Sequence, residues 1–230
     1  MSMIGIIGAM DIEVEGIKRL LCDVSEEKIS NITFVKGTLD GKSVVVAKCG
    51  IGKVFSAICA QTMIMAFKPS VIINIGVAGG ISSDLNVGDI VVADAVVQHD
   101  MDTTPLGEPR GFLSEIGLVK IPTDKNVHDG LIKAVKAVGI NAVSGTVASG
   151  DAFVADSEKK RFIQESFNAA ACEMEGAAIG QVCFVNGVPF GVLRAISDSA
   201  NGDANVDFPT FAAMAAKNSI KVITEFIQTV

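Results

Sequence analysis

An acid delivered to the end of a buried strand is placed to do proton chemistry, and residues 188–198 supply one. The apolar run Val188-Pro189-Phe190-Gly191-Val192-Leu193 continues through Arg194 and Ala195 to Ile196-Ser197-Asp198. In open α/β sheets, ligands sit beyond the carboxyl ends of strands. A carboxylic acid held among apolar walls can keep its proton near neutral pH and then donate it. Asp198 is therefore the first candidate for a general acid, although on local sequence alone it also reads as an Asp capping the turn after a strand.

Five further segments combine glycine with an acid or an apolar side chain at a strand end or turn: Gly8-Ala9-Met10-Asp11-Ile12-Glu13, Gly50-Ile51-Gly52, Gly76-Val77-Ala78-Gly79-Gly80, Ser149-Gly150-Asp151-Ala152-Phe153-Val154 and Glu173-Met174-Glu175-Gly176. Glycine lets backbone amides approach a ligand closely. Acids mixed with Met, Phe and Ile suit a neutral, partly apolar, hydroxyl-bearing ligand, whereas phosphate would call for Arg and Lys. Only Lys53 and Arg194 lie near these segments, and a guanidinium there suits a carboxylate partner. The dinucleotide fingerprint GxGxxG fails because Phe55 occupies the last glycine position after Gly50 and Gly52, and Gly52-Lys53 is followed by Val54, so it is not a Walker A loop.

The elements that must position these segments alternate between β-rich and helical patterns. Strands are predicted at Met3 to Gly8, Val71 to Val77, Asp89 to Val97, Ala142 to Ser149 and the run ending at Asp198. A hairpin is predicted from Thr33–Leu39 and Ser43–Cys49 around Asp40-Gly41. Helices are predicted at Asp11 to Cys22, Val54 to Phe67 before Pro69, Asn126 to Val138, Ser157 to Phe167, Gly176 to Asn186, and from Asp207-Phe208-Pro209 to the end. Residues 98–117 are rich in turn formers and read as a functional or interface loop. The fold class is α/β: a mixed central β-sheet flanked by helices, in one domain spanning 1–230.

Composition removes other classes. With 230 residues, 49% hydrophobic and 20% charged, the chain reads as globular. Its formal net charge of −7 and scattered lysines argue against a nucleic-acid partner. Its longest apolar stretches are interrupted and shorter than the roughly 18 residues that a membrane helix needs. The leading segment has no basic start, so the cytoplasm is expected. Five unspaced cysteines point away from disulfides, and two distant histidines away from a metal site. No metal and no cofactor are expected.

In this order and end to end, Gly8-Ala9-Met10-Asp11-Ile12-Glu13, Ser149-Gly150-Asp151-Ala152-Phe153, Glu173-Met174-Glu175-Gly176-Ala177-Ala178 and Arg194-Ala195-Ile196-Ser197-Asp198 resemble the 5'-methylthioadenosine/S-adenosylhomocysteine nucleosidases of the nucleoside phosphorylase family. The resemblance implies a homodimeric hydrolase of adenine nucleosides. It makes Asp198 the acid that protonates adenine N7 and Glu13 the base that activates water, although Glu13 alone would read as a solvated residue in the first turn of a helix. It makes Glu175 the acceptor for the ribose hydroxyls, with Met174 lining the sugar and Arg194 orienting Glu175. Phe153 would stack on the base, Val154 would read its edge through backbone groups, and Ala9, Ile51, Gly79, Ser197 and Phe208 would complete the pocket.

Val77 stands where relatives often place a hydroxyl, and Leu106 and Glu108 where they present aromatics to the 5' substituent. Glu108 would either meet the amino-acid tail of S-adenosylhomocysteine or face solvent. A purine nucleoside phosphorylase, an aminofutalosine-type hydrolase and a non-catalytic nucleoside binder are the alternatives. Asp11 and Glu13 stand where phosphorylases tend to carry an arginine.

Overall fold

Strand residues alternate between two covered faces, which is why the predicted strands are apolar almost throughout. In the strands Met3–Gly8 (β1), Lys42–Lys48 (β4) and Val71–Gly80 (β5), Ile4, Ile6, Val44, Val46, Ile73 and Ile75 face one core, while Ile7, Val45, Ala47 and Ile72 face the other. Helices Asp11–Lys18 (α1), Lys125–Val138 (α3) and Phe208–Thr229 (α6) cover the first face through Val14, Ile17, Leu131 and Phe226. Helices Lys53–Phe67 (α2) and Gly176–Asn186 (α5) cover the second through Cys59, Met63, Ile179 and Cys183. This computed structural model describes residues 3–198 and 208–229, with backbone alone for 208–210.

The remaining elements are Cys22–Ile29 (β2), Ile32–Leu39 (β3), Ile90–Gln98 (β6), Lys120–Pro122 (β7), Ala142–Ser149 (β8), Ser157–Phe167 (α4), Ala169–Glu173 (β9) and Phe190–Asp198 (β10). The sheet runs β2-β3-β4-β1-β5-β9-β8-β6-β10, with β7 beside β6. β10 also pairs with β5 in parallel, so β5, β9, β8, β6 and β10 close into a ring. The α/β class with a mixed sheet and flanking helices is thus the observed one. The ring closure adds a constraint, because the ends of β5, β9 and β10 are brought together.

The predicted hairpin is present, turning through Asp40 at φ 48° and Gly41 at φ 76°. The predicted helix to Cys22 is not. α1 stops at Lys18, and residues 22–29 form an edge strand exposed along nearly its whole length. Neither face of β2 is buried, so it shows no apolar alternation, and its Asp23, Glu26, Glu27 and Lys28 are the charges that blunt an open sheet edge. The short strands β7 and β9 are likewise additions to the expected elements. They carry too few residues for a periodic signal.

Candidate active site

Glu13 lies in the first turn of α1, where a side chain normally faces water, yet it is 1% exposed. Its Oε2 accepts the backbone N–H groups of Ala9 (2.7 Å) and Met10 (2.9 Å), and its Oε1 accepts that of Val77 (3.1 Å). The helix start, the turn after β1 and the middle of β5 therefore converge on one carboxylate. Burial pushes its pKa above the ordinary carboxylate value, while Arg194 and the three backbone donors oppose the rise. The solvated reading of Glu13 is overturned.

Asp198 ends β10 as expected and lies opposite Gly79 of β5, just past a register shift. A Cβ on Gly79 would sit 3.1 Å from Asp198 Oδ2, so the glycine keeps the space beside the carboxyl narrow but open. Ser197 Oγ donates to Asp198 Oδ1 at 3.1 Å, and Lys160 Nζ of α4 donates to Oδ2 at 3.0 Å. Lys160 was missed in sequence because Glu158-Lys159-Lys160-Arg161 reads as a solvated helix face. It is 4% exposed.

Between these two acids lies a buried network centred on Glu173. Its carboxylate accepts from Ser149 Oγ, from the backbone N–H groups of Glu175 (3.1 Å) and Gly176 (2.8 Å), and from Arg194 Nη2. Arg194 Nη2 also donates to Asn74 Oδ1. Arg194 is fully buried behind the cavity wall, with its close ionic partner at Glu173 and Glu175 Oε2 farther off at 3.8 Å. The expected pairing with Glu175 is thus present at 3.8 Å, and the shorter contact of the same guanidinium is to Glu173. The motif Glu173-Met174-Glu175 contained this hub, but nothing local distinguishes which acid points inward.

The other oxygen of the Glu175 carboxylate, Oε1, accepts the backbone N–H of Gly52 at 2.9 Å, at the start of α2. Gly52 has φ 100°, a conformation that favours glycine, which turns its amide toward the acid. Burial, followed by the neighbouring Glu173 charge, raises the Glu175 pKa to about 7.

One cavity collects these groups. Ala9, Glu13, Ile51, Gly79, Phe153, Val154, Met174, Glu175, Ser197 and Asp198 all line it, as do Val77, Cys172 and Glu173. Val154 is buried, whereas Phe153 and Ile51 stand at the mouth, 63% and 56% exposed. Arg194 is therefore the one predicted site residue with a described side chain that does not reach the wall. Phe208 begins α6, but its side chain lies outside the described residues. Burial pushes the Cys172 thiol up to about 12, which leaves it a poor nucleophile. Glu108 is engaged within its own loop, accepting from Thr103 Oγ1 (2.7 Å) and Ser114 Oγ (2.9 Å). Leu106 is 81% exposed.

The family model described as the phosphorylase superfamily matches residues 3–228. The chain belongs to this superfamily. Among the members similar to this phosphorylase-superfamily chain is the 5'-methylthioadenosine/S-adenosylhomocysteine nucleosidase of Shewanella sp. (strain MR-7), 40% identical over 222 residues that cover 96% of this chain and 94% of that one. The solved nucleosidase from Neisseria meningitidis in complex with methylthio-immucillin-A superposes with a TM-score of 0.95 at 33% identity, covering both chains fully. A futalosine hydrolase of Helicobacter pylori strain 26695 gives a TM-score of 0.95 at 36% identity, covering all of this chain and 98% of that one.

Proposed function

We infer that the protein hydrolyses the N-glycosidic bond of 5'-methylthioadenosine and S-adenosylhomocysteine, giving adenine with 5-methylthioribose or S-ribosylhomocysteine. The observation that carries hydrolysis over phosphorolysis is the charge of the cavity wall. Among the described residues its wall carries the carboxyl groups of Glu13, Glu173, Glu175 and Asp198 and neither Lys nor Arg, and the nearby cations Arg194 and Lys160 lie behind the wall, each bound to one of these acids. A phosphate dianion would meet this field without a cradle, whereas neutral water can be held by Glu13.

In this reading Asp198 gives its proton to adenine N7, so the C1'–N9 bond breaks with its electron pair leaving on a neutral base. Water adds to the oxocarbenium-like carbon as Glu13 takes its proton, a division of labour like that of the two carboxyls of inverting glycosidases. Glu175 accepts the ribose hydroxyls, Met174 lines the sugar, and Phe153 and Val154 hold the base. Support comes from the convergence of these residues on one cavity and from similarity to nucleosidases over nearly the whole chain. The test is direct: free adenine should appear at the same rate with or without phosphate, and no sugar 1-phosphate should form. A rate that rises saturably with phosphate, with a phosphorylated sugar found by mass, overturns hydrolysis.

Similarity to futalosine hydrolase at the same TM-score supports a second reading, a 6-amino futalosine nucleoside as an additional substrate. Competition between that compound and methylthioadenosine for one site ranks the two.

We also propose one nucleosidase domain that works as a homodimer in the cytoplasm and serves methionine salvage. Support for two copies is an exposed apolar face on the adjacent helices α2 and α5, where Val54, Phe55 and Val185 are 69%, 58% and 65% exposed, with Leu106 on the 98–117 loop. A monomeric mass by light scattering at working concentration removes the dimer. Support for a reducing compartment is that all five cysteines are free.

A further inference from the structure

We propose that Lys160 is a positioning residue for proton transfer to the base: its ammonium fixes the Asp198 carboxyl at the base end of the cavity and stabilises the carboxylate left behind when the proton departs. The inference rests on the nucleosidase reading and extends it to a residue outside the cavity wall.

The geometry leaves the Asp198 carboxyl little freedom. Lys160 Nζ holds Oδ2 at 3.0 Å, and the Ser197 hydroxyl holds Oδ1 at 3.1 Å. Beside it lies Gly79 of β5, where a Cβ would press to 3.1 Å from Oδ2. Lys160 is 4% exposed, so this is not a surface ion pair of the kind that contributes little. Desolvating an ammonium is costly, and one of the groups this ammonium meets is a cavity-wall acid.

Lys160 also lies on α4, which begins three residues after Val154. The contact ties the helix that follows the base-binding segment to the end of β10, and so sets Phe153 and Val154 relative to the acid.

The charge balance of the transfer shows what the ammonium does. As the C1'–N9 bond breaks, the O–H bond of Asp198 breaks and an N7–H bond forms, so the negative charge that would have left on adenine appears on Asp198. A fixed cation at hydrogen-bond distance, in place before the reaction, stabilises that charge without reorganising. Lys160 keeps its own protons throughout. It acts through Asp198 and need not touch the substrate.

The test uses the full-length protein, methylthioadenosine, and the 4-nitrophenyl β-riboside carrying the same 5-methylthio group, whose leaving group departs without protonation at a purine nitrogen. For K160M the expected result is a fall in kcat of about tenfold or more on methylthioadenosine, a small part of the roughly 100- to 10,000-fold that a general acid supplies. Its KM should change by less than about threefold. On the nitrophenyl riboside the loss should shrink to about twofold or less. In D198N, adding K160M should cost little more, because two residues acting through one proton transfer are not additive.

K160Q, which keeps a hydrogen-bond donor without the charge, should behave as K160M does and covers the case in which the methionine variant fails to fold. An equal loss on both substrates, full additivity with D198N, or wild-type turnover in folded variants overturns the proposal. If instead the wild-type protein cleaves no 5'-substituted adenosine at all, the nucleosidase reading fails.

Discussion

Because both oxygens of Glu13 accept backbone N–H groups, from Ala9 and Met10 on one side and Val77 on the other, an amide at this position must turn its NH2 toward at least one of those donors. Glu13→Gln is therefore expected to lose stability, by about 1–3 kcal/mol for a stranded buried donor, as well as turnover. The turnover loss should be roughly 100- to 10,000-fold per folded molecule, with affinity for an unreactive adenine nucleoside analogue kept within a few-fold. Collapse of that affinity with normal turnover of bound substrate would make Glu13 a binding residue. The pH dependence has a definite sign. A base works when ionised, and burial raises the Glu13 pKa above 4.5, so kcat/KM should fall as pH drops through a value above that of an ordinary carboxylate. An acid limb below pH 4.5 in the wild-type profile counts against the assignment.

At the scale of elements, β5 matters most, since it donates Val77 N–H to Glu13, passes Gly79 beside Asp198, and pairs with β1, β9 and β10. Gly76 on this strand lies against the buried network. A Cβ there would lie 2.0 Å from Arg194 Nη1 and 2.7 Å from Glu13 Oε1. Both groups are held by their own hydrogen bonds, so Gly76→Ala must displace a buried charge. The expected cost is about 3 kcal/mol or more, in the range seen when a buried ion pair is broken, read as a lower denaturant midpoint together with lost turnover. An alanine tolerated within about 0.5 kcal/mol, the usual size of a neutral surface change, would show that Arg194 and Glu13 are not locked. The contrast with β2 is instructive. A strand buried on both faces announces itself by apolar residues, while an exposed edge strand such as Cys22–Ile29 carries charges and looks like the tail of a helix.

For the molecule as a whole, the acids gathered under the cavity are a standing electrostatic load offset mainly by Arg194, which the charges of Glu173, Glu175 and Glu13 keep protonated against the effect of burial. Glu175 makes this load measurable. Its folded pKa of about 7 lies above the unfolded value near 4.5, so the folded state binds the proton more tightly, and stability is lost as pH rises between those values and levels off above 7. Glu175→Gln keeps an oxygen for the Gly52 N–H but cannot ionise. Its stability relative to wild type should therefore rise by roughly 1–3 kcal/mol from pH 4.5 to 7, measured by thermal unfolding across that range, and a flat difference would remove the load.

The sequence alone determined the α/β class, most element positions, and the strand-end segments that hold Glu13, Glu175 and Asp198, because strand burial and turn chemistry are written in local residue types. Tertiary structure alone decided that β10 closes against β5, that Arg194 faces Glu173, and that Lys160 leaves a charged helix face to meet Asp198. Those choices depend on which charged groups share a desolvated space, and residues 21 to 120 positions apart in the chain carry no local mark of it.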